Sequence, residues 1–268
     1  MPPLASVKDL RLTRNVTVSV AAGRTPVTVE DRDRTRPFVL LHGGGGPRTM
    51  SGFADLLAER THSRVLLPTH PGFAGTPRPE ELGSTRDLAA MYVDLVERLD
   101  LSDVTLVGNS FGGWLAAEIA LLGSPRVSGA VIVDGIGVEI PGHPVTDVSG
   151  LSPTEITAIS WHDSSKIPVA PAGAPAPSPD LPALLAYTGP QMADPTLLGR
   201  LRNLDLPVHV VWGESDGIVD PGYGRAYAAA IPGSSFTLLP GTGHLPQLET
   251  PQELFDAIWE RGRDTLRA

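Results

Sequence analysis

Ser110 lies in a sequence setting that could make its hydroxyl a nucleophile. It is the centre of Gly-Asn-Ser-Phe-Gly, residues 108–112, between a largely apolar run at 103–107 and an Ala- and Leu-rich stretch at 114–122. The short run predicts a buried strand and the longer stretch predicts a helix. Glycines two residues before and two after Ser110 allow a sharp turn that points the hydroxyl outward. The N-terminus of the following helix would offer free N–H groups to negative charge that develops beside the serine.

A nucleophilic serine needs a base, and His244 is the histidine best placed to provide one. His209 lies inside a predicted strand, which favours a structural role, and His62 and His143 have the setting of surface residues. His244 ends the loop Gly-Thr-Gly-His, between a strand-like run at 235–239 and a helix that Thr250 would cap. A histidine on such a loop can reach a site at the edge of the sheet. The chain has seven histidines in all: His42, His62, His70, His143, His162, His209 and His244.

The base in turn needs an acid to orient it, and Asp216 is the preferred candidate. It follows the strand-like run at 208–212, so it would lie at the same edge of the sheet as His244. Glu214 and Asp220 are close enough in sequence to compete, and Asp134, at the end of the run at 130–133, is a further alternative. The preferred set along the chain is thus Ser110, Asp216 and His244.

Four further features of the sequence belong together: the segments Leu40–Pro47 (LLHGGGGP), Gly108–Gly113 (GNSFGG), Trp212–Asp216 (WGESD) and Gly243–Glu249 (GHLPQLE). Through these segments, in their order and spacing, the chain resembles proteins of the α/β-hydrolase fold over nearly its whole length, and the order serine, aspartate, histidine is also theirs. One departure is His70, which stands before Pro-Gly where family members usually carry an aspartate. That aspartate is not part of the catalytic triad of serine, aspartate and histidine, so the departure concerns loop structure and the lining of the pocket.

The glycine-rich segment after His42 is the remaining catalytic element. Acyl transfer places negative charge on the carbonyl oxygen, and a pair of N–H donors aimed at that oxygen contributes about 3–4 kcal/mol. Phe111, the residue after the nucleophile, supplies one donor. The resemblance assigns the other to the N–H of Gly44, with Gly45 as an alternative. A phosphate cradle and a plain turn are competing interpretations, and the cradle is disfavoured because no Gly-Lys-Ser/Thr follows.

Composition limits the partners of the chain. Its 268 residues suffice for one large α/β domain with an inserted piece. A formal charge of −9 and the absence of a Lys/Arg cluster argue against nucleic acid or an anionic membrane as a partner. The absence of cysteine excludes disulfides, thiolate zinc sites and cysteine nucleophiles. We expect a small-molecule substrate and no metal or other cofactor, and a homodimer is compatible with the sequence.

The N-terminal residues show no secretory signal. No basic segment leads into an apolar core there, and no apolar stretch of the chain reaches membrane-spanning length. A cytoplasmic location is therefore expected.

Strand-like and helix-like stretches alternate along the chain. Two runs at 16–20 and 26–30 predict an antiparallel hairpin that closes near Gly23. Such alternation predicts an α/β fold with a mainly parallel, eight-stranded twisted sheet and helices on both faces. Functional residues collect at the C-terminal ends of such strands, where Gly44, Ser110, Asp216 and His244 all fall. The other strands are predicted at 38–41, 64–67, 104–107, 130–133, 208–212 and 236–239, and helices at 50–60, 85–99, 113–122, 222–230 and 251–267.

Residues 136–203, here called the insertion, interrupt this alternation. No strand is evident in them, and residues 168–179 carry too many prolines for a regular helix. Short helices are predicted on either side, at 153–161 and 182–187. An insertion at this point of the fold usually forms a cap over the active site, so the chain is divided into a core of residues 1–135 and 204–268 and a cap of residues 136–203. A disordered surface insertion is the alternative.

Three residues of the insertion, Trp161, His162 and Tyr187, are expected to face a ligand from above. Trp114, four residues after Ser110 on a predicted helix, is expected in the hydrophobic core instead. These assignments complete the predicted site around the serine.

The predicted reaction is cleavage of a small-molecule ester or related carbonyl substrate through an acyl-enzyme on Ser110. His244 would take and return the proton, and Asp216 would fix the tautomer of the imidazole. C–C bond hydrolases, lactonases and perhydrolases share these segments by resemblance, so the bond that is cleaved stays open. A non-enzymatic ligand receptor on the same fold is the alternative from another class, and the retained acid–base pair argues against it.

Overall fold

The strand-like runs form one sheet in the computed structural model, which describes residues 12–20, 23–32, 35–148, 150–168 and 180–265. The strands are β1 (Leu12–Val20), β2 (Gly23–Arg32), β3 (Thr35–Leu41), β4 (Ser63–Pro68), β5 (Val104–Asn109), β6 (Val127–Val133), β7 (Val208–Gly213) and β8 (Ser235–Leu239). They lie in the order β1-β2-β4-β3-β5-β6-β7-β8. β2 pairs antiparallel with β1 and β4, and the other neighbours pair parallel. The predicted α/β fold with a mainly parallel, eight-stranded sheet is confirmed.

Nine α-helices lie in the described part of the chain: α1 (Arg48–Thr61), α2 (Thr85–Arg98), α3 (Phe111–Leu121), α4 (Pro153–Ser160), α5 (Leu181–Thr188), α6 (Leu197–Arg200), α7 (Pro221–Ala229), α8 (Pro246–Glu249) and α9 (Pro251–Thr265). Local chemistry explains several starts: the Ser84 hydroxyl accepts from the N–H of Asp87 at α2, and Ser152 with Glu155 forms a capping box at α4. The five helices predicted outside the insertion are present, with no end shifted by more than two residues, and the last three residues of the chain lie outside the described ones. None of the described helices is both long and apolar enough to cross a membrane.

Each strand sends alternate side chains to opposite faces of the sheet, and a separate hydrophobic core covers each face. On β3, Val39 and Leu41 join one core, whereas Phe38 and Leu40 join the other. The second core is built with α1 and α9. The first is built with α2, α3 and α7 and also takes in leucines of the insertion: Leu184, Leu197 and Leu201. The helices therefore lie on both faces as predicted, and the insertion packs on the face of α2 and α3.

The described parts of the insertion contain helices and turns but no strand. α4 and α5 lie where short helices were predicted, and α6 leads into a 3-10 turn, Leu201–Asn203. An isolated bridge pairs Gly137 with Ala193 and so joins the start of the insertion to its later half. The proline-rich stretch predicted at 168–179 lies, from residue 169 onward, outside the described residues, as does part of the predicted turn near Gly23.

Candidate active site

Ser110 occupies a strained turn between β5 and α3. Its backbone has φ 57° and ψ −119°, a conformation that residues with a side chain rarely adopt. The turn is fixed on both sides: the N–H of Ser110 donates to Val133 O at 2.9 Å, and its carbonyl accepts from the N–H groups of Gly113 at 2.9 Å and Ile136 at 3.2 Å. Ser110 itself is half-buried. The fold therefore holds this side chain at the C-terminal edge of the sheet in a single backbone geometry.

The two glycines of the pentapeptide are required by close backbone approach. A Cβ at Gly108 would collide with the carbonyl oxygen of Gly112, and a Cβ at Gly112 would collide with that of Leu41. Trp114, one turn further along α3, is buried in the core as predicted, and its Nε1 donates to Glu118. The sharp turn that the sequence predicts at residues 108–112, here called the elbow, is thus formed, with α3 packed directly behind it.

His244 and Asp216 meet at the same edge of the sheet. His244 Nδ1 lies 2.7 Å from Asp216 Oδ2, and both side chains are almost fully buried. The other carboxylate oxygen of Asp216 accepts from the N–H groups of Ile218 at 2.8 Å and Val219 at 3.1 Å. Because Asp216 already accepts these two backbone hydrogen bonds and a carboxylate can only accept, it favours the tautomer of His244 with the proton on Nδ1. That tautomer leaves the lone pair of Nε2 available as a base.

Asn109 connects the loop of His244 to the elbow. Its Nδ2 donates to the carbonyl of His244 at 3.0 Å, and its Oδ1 accepts from Gln247 Nε2 at 3.0 Å. All three residues are buried. The Ser110 hydroxyl has no hydrogen-bond partner among the described residues. The sequence analysis missed Asn109 and Gln247, although a polar residue at the end of a buried strand was a signal for the first.

The other candidate acids have different partners. Glu214 accepts from the N–H of Gly241 at 3.2 Å, and Asp220 binds the ring of His143 at 2.8 Å while it caps α7. Asp134 is fully buried at the end of β6, where its Oδ1 accepts from the N–H of Gly213 at 2.7 Å. The acid that contacts His244 is therefore Asp216.

Asp134 nevertheless belongs to the same cluster. Its carboxyl oxygen, a carboxylate oxygen of Asp216 and a ring nitrogen of His244 all lie within 4.8 Å of one another. This is the only trio of potential metal ligands among the described residues, and two of its members are hydrogen-bonded to each other. Burial, followed by the charge of Asp216, raises the pKa of Asp134 well above its ordinary value.

The glycine-rich loop after β3 lies against the serine. A Cβ at Gly43 would lie 2.9 Å from the Cβ of Ser110, so the loop backbone approaches the nucleophile closely only because residue 43 is glycine. Among the described residues, nothing accepts a hydrogen bond from the N–H of Phe111, Gly44 or Gly45. Within the described part of the chain, the N–H groups of the predicted pair, Gly44 and Phe111, and of the alternative Gly45 are therefore open to an acceptor from outside the protein.

Two buried histidines support this loop from behind. His42 Nδ1 donates to Gly43 O at 2.8 Å, and its Nε2 accepts from the N–H of His70 at 3.1 Å. His70 Nε2 donates to His42 O at 3.0 Å, and its Nδ1 accepts from the hydroxyl of Tyr92 at 2.6 Å. Burial lowers the pKa of His42 to about 4 and that of His70 well below its ordinary value. His70, the departure from the family pattern, is therefore a neutral structural residue.

The insertion holds the acid and base loops through backbone atoms at the end of α4. The carbonyl of Ser160 accepts from the N–H of His244 at 2.8 Å, and that of Ile159 accepts from the N–H of Gly217 at 2.9 Å. Glu249 adds a bridge, because its carboxylate accepts from the N–H of Asp163 at 2.6 Å and from that of Gly243 at 2.7 Å. The first half of the insertion is therefore hydrogen-bonded to the loop of Asp216 and to the loop of His244.

The three insertion residues expected to face a ligand lie in different surroundings. Trp161 is half-buried directly after α4, and His162 is exposed, with Nδ1 2.8 Å from the hydroxyl of Ser215. Tyr187 is buried: its hydroxyl donates to Pro71 O at 2.9 Å and its ring stacks on Phe111 at 5.8 Å between centroids. Tyr187 thus packs from the insertion onto the elbow. Leu184, which the sequence analysis did not name, lies directly over Gly44.

Comparison with known proteins relates the chain to hydrolases. A family model described as the alpha/beta hydrolase family matches residues 38–257. The 2-hydroxy-6-oxo-2,4-heptadienoate hydrolase of Pseudomonas putida is 33% identical over 122 residues, which are 44% of this chain and 44% of that relative, so the match spans less than half of its length. An esterase from Thermogutta terrifontis has a TM-score of 0.74 at 23% identity, covering 94% of this chain and 98% of that chain. The meta-cleavage product hydrolase of Pseudomonas fluorescens IP01 has a TM-score of 0.73 at 19% identity, covering 93% and 98%.

Proposed function

The chain belongs to the alpha/beta hydrolase family, and we propose that it is a serine hydrolase that cleaves a small-molecule ester or related carbonyl compound. The observation that carries this proposal is the 2.7 Å contact between His244 Nδ1 and Asp216, at the sheet edge where Ser110 occupies its strained turn. A serine at such a turn, a buried histidine with its acid and two free N–H donors are the parts that acyl transfer needs.

In the proposed acylation step, Ser110 Oγ attacks the substrate carbonyl carbon while His244 Nε2 takes the hydroxyl proton. Asp216 holds the imidazole in the required tautomer and stabilises the positive ring that forms. The N–H groups of Phe111 and Gly44 donate to the carbonyl oxygen as it becomes negative. His244 then gives its proton to the leaving alcohol oxygen as the C–O bond breaks, which leaves the acyl group on Ser110.

Deacylation repeats these roles with water as the nucleophile. His244 takes a proton from water as the water oxygen attacks the acyl carbon, and the same two N–H donors stabilise the second oxyanion. The bond to Ser110 Oγ breaks, His244 returns the proton to that oxygen, and a carboxylic acid leaves. The strained backbone of Ser110 serves this cycle by holding the nucleophile at one place throughout.

We propose further that the insertion acts as a cap over this site. Its first half is hydrogen-bonded to the loops of Asp216 and His244, and Leu184 of its second half lies over Gly44. The contacts on both sides of Ser110 support a cover that excludes water from the reacting carbonyl. An apolar side chain over the oxyanion loop also favours an uncharged group next to the substrate carbonyl.

A C–C bond hydrolase is the second candidate, because the curated relative that is 33% identical is named a hydrolase of a 2-hydroxy-6-oxo-dienoate. Lactonase and perhydrolase reactions use the same residues. A non-enzymatic ligand receptor is disfavoured, since binding alone would not require a buried acid–base pair beside a strained serine.

A substrate panel tests the proposed function. Purified protein is assayed on p-nitrophenyl esters of rising acyl length, a ring-fission dienoate and a lactone, beside Ser110→Ala and, as a matched control, Glu214→Gln. We expect turnover of at least one class, a loss of about 10⁴- to 10⁶-fold in Ser110→Ala, and wild-type turnover in Glu214→Gln, whose carboxylate accepts from the N–H of Gly241 and not from His244. Binding of a panel compound without turnover of any would instead favour the receptor.

A further inference from the structure

Asp134 is a buried acid in the site that the proposed mechanism does not use. It lies at the end of β6, beside the strand that leads to Asp216, and it is fully buried. Its Oδ1 accepts from the N–H of Gly213, but its Oδ2 faces no donor among the described residues. A carboxylate oxygen of Asp216 lies within 4.8 Å of a carboxyl oxygen of Asp134.

Two ionised carboxylates cannot share this space, because like charges at such a distance in a buried site strongly disfavour each other. The donors decide which group keeps the charge. Asp216 accepts from His244, Ile218 and Val219, whereas within the described part of the chain Asp134 accepts from a single backbone N–H, that of Gly213. The charge therefore belongs on Asp216 and the proton on Asp134, in agreement with the raised pKa of Asp134.

We propose that Asp134 is a neutral carboxylic acid whose O–H donates to the carboxylate of Asp216, and that it positions this carboxylate for His244. In this arrangement Oδ1 of Asp134 keeps its contact with Gly213 and Oδ2 gains a partner. Asp134 is a positioning residue, since it acts through Asp216. Its role rests on the proposed function, in which Asp216 orients His244.

The proton on Asp134 has two consequences for the site. It gives Asp216 a fourth donor, so the carboxylate that faces His244 is held from β6 as well as from its own loop. It also keeps a second negative charge away from the imidazole, because polar atoms of Asp134 and Asp216 both lie within 4.8 Å of a ring nitrogen of His244. An ionised Asp134 would make His244 harder to deprotonate and so a poorer base at neutral pH.

The titration of His244 tests the proposal directly. The ring of ¹⁵N-histidine-labelled protein is followed by NMR in wild type, Asp134→Asn and Asp134→Ala, with the signal assigned from His244→Gln. Asparagine can still accept from Gly213 and donate to Asp216, so we expect the midpoint in Asp134→Asn to match wild type. Alanine removes the donor to Asp216, so less of the negative charge of that carboxylate is neutralised by a hydrogen bond. The His244 midpoint should therefore rise by roughly half a pH unit. A midpoint that falls by about one unit or more in Asp134→Asn would mean that a negative charge had been removed, and would overturn the proposal.

A second measurement keeps the test valid where a variant does not fold. The infrared spectrum of wild type at neutral pH should contain the carbonyl band of a buried protonated carboxylic acid, and a spectrum without that band contradicts the proposal. In a folded Asp134→Asn the band should be lost, whereas it should persist in Glu214→Gln. Neither readout needs turnover, so a protein that hydrolyses nothing would still answer whether Asp134 carries the proton.

Discussion

Two pairs of buried titratable groups lie on opposite sides of Ser110. They differ in how their polar atoms find hydrogen-bond partners away from water. His42 and His70 lie behind the oxyanion loop, and each of their four ring nitrogens has a partner. Asp134 and Asp216 lie behind His244, and one carboxyl oxygen of this pair faces no donor among the described residues. The first pair holds a loop rigid, whereas the second keeps a charge beside the base.

The chemistry of the groups explains the difference. A neutral imidazole both donates and accepts, so each of these rings can bond one donor and one acceptor, here backbone groups and the Tyr92 hydroxyl, without any charge. Two carboxylates can only accept, so a buried pair needs a proton on one member. The pairs also respond to pH with opposite sign. The lowered pKa values of the histidines favour folding at higher pH, whereas the raised pKa of Asp134 favours folding at lower pH.

The largest effect should separate the two acids. Asp216→Asn offers His244 an amide that favours the wrong tautomer, and we expect kcat to fall by about 10⁴-fold. Asp134→Asn preserves the donor and acceptor pattern of a neutral acid and should stay within about tenfold of wild type. Both variants are assayed on the best substrate of the panel, with circular dichroism as the check on folding. If Asp134→Asn were inactive and Asp216→Asn active, the acid that orients His244 would be Asp134, at the end of β6.

The next effect concerns the histidine pair and is read from stability. Unfolded histidines take up protons below about pH 6.5, whereas His42 stays neutral in the folded protein down to about pH 4. The contribution of His42 to the free energy of unfolding should therefore fall as pH is lowered through this window, by about 3 kcal/mol at its lower end, while the raised pKa of Asp134 acts with the opposite sign. Urea titrations at pH 7, 6, 5 and 4 measure it.

His70→Gln is the matched variant for this pH dependence. Glutamine keeps a donor toward His42 O but does not titrate. The variant should therefore lose the contribution of one histidine to the pH dependence of the free energy of unfolding, which should change less steeply with pH than in wild type. Parallel curves for the two proteins would mean that His70 does not contribute through its protonation.

A smaller effect should appear where the insertion meets the base loop. Glu249 accepts from the N–H groups of Asp163 and Gly243 with separate oxygens. Glu249→Gln leaves one N–H facing an amide N–H and should destabilise the protein by about 1–3 kcal/mol. Thermal unfolding measures the loss, and Glu155→Gln, in the exposed capping box of α4, is the control. Equal changes in the midpoint of thermal unfolding in the two variants would show that the buried hydrogen bonds of Glu249 stabilise the protein no more than the exposed capping box does.

Local sequence patterns predicted the parts of this molecule that depend on neighbours in the chain. The elbow at Ser110 follows from glycine spacing between a strand and a helix, and the eight strands follow from apolar runs. Asp216 and His244 were found because each follows a strand whose end lies at the same edge of a parallel sheet. The four-residue helix α8 was missed, since one helical turn leaves no periodicity to detect.

Contacts between distant residues left little or no trace in the sequence. The bond from Asn109 to the carbonyl of His244 joins residues 135 positions apart, and its donor is an ordinary member of the pentapeptide. The burial of Tyr187 against Phe111 depends on how the insertion packs, which its short helices do not determine by themselves. The proton between Asp134 and Asp216 likewise emerges only when β6 and β7 lie side by side.

Labelling of the nucleophile tests the central claim most directly. Wild type and Ser110→Ala are treated with a fluorophosphonate probe, and the modified residue is identified by mass spectrometry of the digested protein. The account predicts one phosphonylated residue, Ser110, in wild type and no labelling in Ser110→Ala. A probe attached to any other residue, or an unlabelled wild type that is folded, would contradict the assignment of Ser110 as the nucleophile.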